Sequence, residues 1–139
     1  MYKKILLPVD GSANSVQACN HAIDLAKSGN MDVVLLHCYG ELTARIGGVV
    51  RDEIIALLEG DGKVILAPCE RLCEENNVTY KSLIRSGGPG RTIVQAAQAE
   101  GCDLIVMGSR GLSDFAGMVM GSVTHRVLRH SSVPVLVVR

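Results

Sequence analysis

The chain has 139 residues, of which 47% are hydrophobic and 20% charged, and its 14 basic and 14 acidic side chains balance. This length suits one globular domain, residues 1–139, and the composition excludes a disordered chain. The zero net charge and the few aromatic residues, three tyrosines and one phenylalanine, argue against a nucleic-acid-binding protein.

The N-terminal apolar run is too short for a secretory signal, and no apolar run is long enough for a membrane span. We therefore expect a cytoplasmic protein without a membrane partner. Five cysteines at irregular spacing predict reduced thiols rather than a disulfide framework. Cys69 and Cys73 lack a further cysteine or histidine at zinc-ligand spacing, so we expect two small buried side chains and no metal site.

Five short segments are apolar in consecutive positions and rich in leucine or β-branched residues, a pattern typical of strands buried on both faces. They are residues 3–9, 32–39, 78–84, 103–108 and 133–138. Between the first two segments, apolar residues recur every three or four positions. This spacing predicts a helix with Asn14 as its N-cap and Gly29 as its stop.

The segment between the second and third strands, residues 40–76, has a less regular pattern. It contains five glycines and Pro68, which begins or kinks a helix because it lacks an amide proton. We expect a mobile loop followed by a helix. Two further helices are predicted downstream: one begins near Gly90 and ends at Gly101, and Ser122 caps the other.

Strands that alternate with helices and are apolar throughout indicate an α/β fold whose parallel sheet is covered on both faces. In such sheets ligands bind outside the carboxyl ends of the strands, where the strand order reverses. If the order is 3-2-1-4-5, the first and fourth strands are neighbours and the loops after them face each other. Asp10 lies in the first of these loops, and Gly108 begins the second.

The loop after the fourth strand, GSRGLSDFAGMVMGSV over residues 108–123, holds four glycines in sixteen residues. Gly108 and Gly111 would expose backbone N–H groups, and Gly121 with Ser122 would open a helix whose N-terminus carries about half a positive charge. The loop therefore predicts an anion-binding cradle. It is neither a Walker loop, which needs Gly-Lys-Ser/Thr, nor a dinucleotide fingerprint, which would follow the first strand.

Three motifs identify a family that the chain resembles. The glycine-rich loop has the spacing G-x2-G-x9-G-S, the first strand ends in PVDGS, and the chain closes with VPVLVV. These features resemble the ATP-binding members of the universal stress protein family, over all of the chain except about residues 40–76. The resemblance implies a Rossmann-like three-layer sandwich with five parallel strands in the order 3-2-1-4-5, and ATP, AMP or ADP as the ligand.

The resemblance also implies roles for single residues. Asp10 and the main chain around Cys38 would flank the adenine and ribose, and Met107 and Gly108 would lie beneath the ribose. The phosphates would be held by the Ser122 hydroxyl and by the backbone amides of Gly111, Gly121, Ser122 and Val123. The nucleotide-binding residues expected in this way are Pro8, Val9, Asp10, Cys38, Met107, Gly108, Arg110, Gly111, Gly121, Ser122 and Val123.

These residues also have purely structural interpretations. An aspartate before Gly11 is typical of a turn, and the motif glycines are typical of tight turns. The position of Asp10 at the reversal point and the spacing of the glycines favour ligand binding. Arg110 fits a phosphate contact and a solvated loop arginine equally well. Asp114 and Phe115, inside the nine-residue gap of the motif, are expected at a loop tip.

Three functions are compatible with these patterns. The favoured one is a nucleotide-binding regulatory protein of the stress response. The second is an interaction dimer of the same fold that binds no nucleotide, a branch that the resembled family contains. The third is an enzyme, either a slow ATPase or an adenylating relative, although the phosphate loop Ser-Gly-Gly-x-Asp-Ser of the latter is absent. No catalytic constellation can be assembled, so no catalytic residue is predicted.

Two partners are expected besides the nucleotide. Residues 133–138 form an apolar strand that we place at the sheet edge, where pairing with a second copy would give a homodimer. Val135 and Val137 would then lie near the interface. Mg²⁺ is expected with ATP, held mainly by phosphate oxygens and water because amide donors leave phosphate charge to neutralise.

Overall fold

The computed structural model describes residues 1–112, 114–115 and 117–139. Within these ranges strands and helices alternate along the chain. The strands are β1 (Lys4–Pro8), β2 (Asp32–Tyr39), β3 (Tyr80–Ser86), β4 (Leu104–Gly108) and β5 (Val135–Val138). The helices are α1 (Ala13–Gly29), α2 (Gly48–Glu75), α3 (Pro89–Ala99) and α4 (Ser122–His130).

The five strands form one parallel sheet in the order β3-β2-β1-β4-β5. The predicted fold class and strand order are thus confirmed. β1 pairs with β2 on one side and with β4 on the other, so the chain reverses its direction across the sheet at β1. The carboxyl ends of β1 and β4 therefore meet at one edge, as the alternation of strands and helices predicted.

The sheet has a separate hydrophobic core on each face because successive side chains of a strand point to opposite sides. Ile5 and Leu7 of β1 pack beneath α1 and α2, whereas Leu6 packs beneath α3 and α4. All three side chains are fully buried. The uninterrupted apolar runs in the sequence reflect this burial on both faces.

Two predicted helix caps are wrong by one or two residues. α1 begins after Ser12, whose hydroxyl accepts a hydrogen bond from the Ser15 amide at 3.2 Å, so Asn14 lies inside the helix. α4 has Gly121 as its N-cap, and Ser122 is its first helical residue. In both cases the residue that ends the preceding loop in an extended conformation takes the cap position. Asn30, with φ of 52°, ends α1 after Gly29.

Residues 40–76 contain a loop followed by a helix, in the predicted order, and the helix takes up most of the segment. α2 has 28 residues and includes Pro68, which is exposed, and the loop before the helix is confined to residues 40–47. Gly60 has open space around it, whereas Gly62 is buried, with the His37 ring 3.0 Å from the position of a β-carbon. Gly40 and Gly47 therefore lie in the loop, whereas Gly60 and Gly62 lie inside α2, where Gly62 lets the helix approach β2 closely.

The thiols of α1 and α2 meet in the core beneath these helices. Cys19, Cys69 and Cys73 are buried, as predicted for the last two. Burial raises the pKa of Cys73 to about 11, and the hydrogen bond to Cys69 raises the pKa of Cys19. Cys19 and Cys73 are therefore neutral near pH 7 and act as small apolar side chains.

No helix in the described part of the chain combines the length and apolar character needed to cross a bilayer.

Candidate functional site

A cleft of about 220 Å³ opens at the carboxyl ends of β1 and β4, the place where the strand order reverses. Its walls come from the ends of β1, β2 and β4, from the glycine-rich loop, and from the first turns of α3 and α4. The lining residues are Pro8, Val9, Asp10, Ser15, Leu36, Cys38, Pro89, Ile93, Met107, Gly108, Arg110, Gly111, Leu112, Asp114, Val123 and Thr124.

The carboxylate of Asp10 joins the two loops at the mouth of the cleft. Its Oδ1 accepts a hydrogen bond from the Ser12 amide at 2.9 Å, and its Oδ2 accepts one from the Leu112 amide at 3.2 Å. The first bond is the local turn that an aspartate before glycine favours. The second bond crosses to the glycine-rich loop. Asp10 therefore has both the structural role and the site position that its sequence context suggested.

A second carboxylate, that of Asp114, lies where the glycines of the motif come together. The Gly111 amide donates a hydrogen bond to Asp114 Oδ2 at 2.7 Å. A β-carbon at Gly121 would collide with the same oxygen and lie 2.9 Å from Asp114 Cγ. A β-carbon at Gly111 would lie 2.6 Å from Asp10 Oδ2. The two glycines thus leave a space lined by backbone, and an anionic group occupies it.

The first turn of α4 closes one side of this space. The Gly121 amide donates to Ser109 O at 2.6 Å, and the Thr124 hydroxyl donates to Gly108 O at 2.8 Å. The first intrahelical bond runs from the His125 amide to Gly121 O. The amides of the preceding helical residues have no helical acceptor and give the turn a partial positive charge.

The inner wall of the cleft is apolar. Val9 and Met107 are buried, and Leu36 and Ile93 lie beside them. Cys38 is half-buried, and burial raises the pKa of its thiol to about 11, which keeps it neutral near pH 7. The cleft therefore joins an apolar slot to a region of amide donors, an arrangement suited to a ligand with a flat apolar part and an anionic part.

The structure brings together nine of the eleven residues that the sequence resemblance suggested, all except Gly121 and Ser122. Gly121 is buried behind Asp114, and its amide is already bonded within the protein. Ser122 is exposed and lines an adjoining depression instead. Arg110 lines the cleft, and its Nη1 lies 3.4 Å from Phe115 O.

Sequence reasoning missed several lining residues. Pro89 and Ile93 belong to α3, which begins at the carboxyl end of the preceding strand, β3. Ligands bind at the carboxyl ends of the strands, so the position of α3 in the chain could have indicated these two residues. Asp114 was expected only at a loop tip, whereas its carboxylate also lines the cleft and accepts a hydrogen bond from the Gly111 amide. Apart from the nine-residue spacing of the motif, nothing in the sequence indicated this contact, because the loop has no periodic pattern.

Comparison with known proteins identifies the family of this chain. The family model of the universal stress protein family matches residues 1–139. The chain is 34% identical to universal stress protein YxiE of Bacillus subtilis over 148 aligned residues, covering 100% of both. The solved structure of hypothetical protein MJ0577 superposes with a TM-score of 0.87 at 34% identity, over 99% of this chain and 96% of that one.

A third comparison is with a universal stress protein in complex with cAMP. It superposes with a TM-score of 0.77 at 25% identity, and the match covers 99% of this chain and 97% of that structure. The family model spans every residue that lines the cleft, including the glycine-rich loop. This chain therefore belongs to the universal stress protein family.

Proposed function

We propose that the cleft binds an adenine nucleotide, with ATP as the favoured ligand, and that the protein acts through this binding in the stress response. The observation that carries the proposal is the placement of an anion beside an apolar slot. The Gly111 amide already donates to a carboxylate oxygen, and the apolar wall with Met107 begins at the neighbouring strand end. A nucleotide has the same two parts, phosphate and base.

The backbone amide donors of the site support a phosphate rather than a neutral ligand. The Gly111 amide donates to the Asp114 carboxylate at 2.7 Å, so a backbone donor already contacts an anionic group there. A phosphate entering the same space would displace the carboxylate and take over the amide. The cAMP complex of a family member at 25% identity is consistent with this chemistry.

Two measurements test the proposal directly. Chromatography of small molecules released on denaturing the purified protein should detect an adenine nucleotide, and calorimetric titration of the nucleotide-free protein with ATP should give saturable binding. Guanosine triphosphate serves as the matched ligand because it carries the same phosphates. If neither nucleotide is released nor ATP bound, the nucleotide function is wrong and the interaction-dimer function takes its place.

Cys38 offers a readout that locates the ligand. It is the half-buried cysteine of the cleft, whereas Cys19, Cys69, Cys73 and Cys102 are buried. ATP should therefore slow alkylation of Cys38 in the folded protein, as followed by peptide mass spectrometry. Protection of another cysteine with Cys38 unaffected would place the ligand elsewhere.

Magnesium should strengthen ATP binding by about tenfold, because a divalent cation offsets the repulsion between the phosphates and the nearby carboxylates. The donors present fit Mg²⁺: Asp10 and Asp114 both have an oxygen within 4 Å of the β-carbon position at Gly111. The described residues contain no cluster of three or more ligating side chains, so phosphate and water would complete the coordination. Titrations with ATP in Mg²⁺ and in EDTA measure the effect; equal affinities would remove the metal role.

We also propose a homodimer through residues 133–138. β5 is an edge strand. The carbonyls of Pro134, just before it, and of Val138 accept bonds from amides of β4 and of the residue after it, which turns the polar backbone groups of Val135 and Val137 toward the free edge. Leu136 is 39% exposed beside them. Val137→Pro removes an outward amide and should give a monomer where the wild-type protein is a dimer, with Val137→Thr as the control. Sedimentation equilibrium distinguishes the two, and a monomeric wild-type protein at micromolar concentration contradicts the proposal.

A further inference from the structure

A second depression, of about 490 Å³, adjoins the cleft on the side of the α4 N-terminus. Pro89 and Val123 line both, so they form the ridge between the two spaces. Arg91 of α3 and Arg126 of α4 line the second depression, as does Ser122. A residue expected to contact phosphates thus lies on the far side of the ridge from the apolar slot.

The two arginines are available to a ligand. Neither guanidinium forms a hydrogen bond or an ion pair with the residues that the structure describes. The ion pair found among those residues joins Lys81 and Glu100. Both side chains are exposed. The stem of Arg126 lies close to Gly90: its Cδ and Cγ are 2.8 and 3.0 Å from the position of a β-carbon there. The absent side chain of Gly90 lets the arginine stem lie against α3.

The surrounding surface is basic although the whole chain has no net charge. α3 and α4 together carry three arginines and no acidic residue. α2, on the opposite face of the sheet, carries seven acidic and three basic residues. The balanced composition therefore conceals a charge separation between the two faces. Glu41 is the acidic residue that lines the depression, from the loop before α2.

We propose that this depression binds the terminal phosphates of a nucleoside triphosphate, with Arg91 and Arg126 as the residues that favour ATP over AMP. The inference rests on the proposed nucleotide function, which supplies the base and first phosphate on the other side of the ridge. A triphosphate crossing at Val123 would pass the open amides of the first turn of α4 before it reaches the guanidinium groups. AMP has no group long enough to cross.

The phosphate chemistry matches the residues on both walls. Guanidinium groups remain charged at all physiological pH values and present several donors to phosphate oxygens. The N-termini of α3 and α4 both face the depression, through Gly88 and Ser122, and add partial positive charge. Glu41 opposes the same anion, so its removal should act in the opposite direction from loss of an arginine.

The experiment compares ATP and AMP affinities of the full chain by calorimetry. Arg91→Gln with Arg126→Gln should lower ATP affinity about tenfold, since exposed charge pairs contribute modestly each, while AMP affinity stays unchanged. Arg129→Gln is the matched control because Arg129 lies on α4 but lines neither cavity, and it should change neither affinity. Glu41→Gln should raise ATP affinity. Added salt should diminish the ATP preference of the wild-type protein.

Tripolyphosphate, which has no base, separates this inference from the nucleotide function. If the wild-type protein binds tripolyphosphate and the double variant does not, the anion site is supported. This result would stand even if the protein did not bind ATP and the nucleotide function were wrong. Three results would overturn the arginine assignment: the double variant loses ATP and AMP affinity equally, the double variant has no effect, or Arg129→Gln has the same effect as the double variant. ATP binding by the wild-type protein would still leave the nucleotide function intact in each case. Circular dichroism confirms that each variant is folded.

Discussion

Replacing Gly121 by valine should remove ATP binding while leaving the protein folded. Gly121 has an ordinary φ of −78°, which valine can adopt without backbone strain. A β-carbon there would collide with the Asp114 carboxylate, the end of a short side chain that can turn away. The branched side chain would then fill the space at the Gly111 amide. Exclusion of the phosphates should weaken ATP binding about 100-fold or more.

The matched variant is Ser122→Ala, one residue later. Because Gly121 is the N-cap of α4, this change removes a hydroxyl donor but no cap, and should cost about 1 kcal/mol of binding free energy or less. Titration with ATP measures both variants, and circular dichroism monitors α4 and the rest of the fold. A folded Gly121→Val protein that binds ATP like the wild type would mean that the motif glycines only shape the loop. The interaction-dimer function would then be favoured.

The sheet could be predicted from the sequence because each strand is buried on both faces. Residues 32–39 and 103–108 are nearly continuous apolar runs, and the strands that they form both pair with β1, as expected. The point at which the strand order reverses then predicted the position of the cleft. Eight of the nine predicted binding residues that line it lie at strand ends or in the loops that follow, and the ninth, Val123, lies in the first turn of α4.

The remaining errors come from interactions that leave no local pattern. Glycines suggested a broken segment over residues 40–76, yet tertiary packing keeps α2 continuous, with Gly62 close to β2. The cap of α1 depends on the Ser12 hydroxyl reaching the Ser15 amide. Serine and asparagine both cap helices, so the sequence alone could not distinguish Ser12 from Asn14. The inward turn of Asp114 likewise depends on the three-dimensional path of the loop.

Gly108 should prove essential to stability rather than to binding alone. It is the last residue of β4, and a β-carbon there would lie 2.8 Å from Asn14 Cβ and 3.0 Å from the backbone C and O of Asn14. The backbone of α1 cannot yield as a side-chain end can, since Ser12 and Ser15 fix this turn by hydrogen bonds. Gly108→Ala should therefore reduce the free energy of unfolding by about 1–3 kcal/mol through overpacking.

Gly60→Ala is the control that separates overpacking from the general effect of losing a glycine. Gly60 lies inside α2 with no atom within 4 Å of its β-carbon position, so alanine there should stabilise the protein by about 0.5–1 kcal/mol. Urea unfolding followed by circular dichroism measures both variants against the wild type. Opposite signs show that the first motif glycine serves the contact between β4 and α1. If Gly108→Ala were as stable as the wild type but lost ATP affinity, Gly108 would act at the ligand instead.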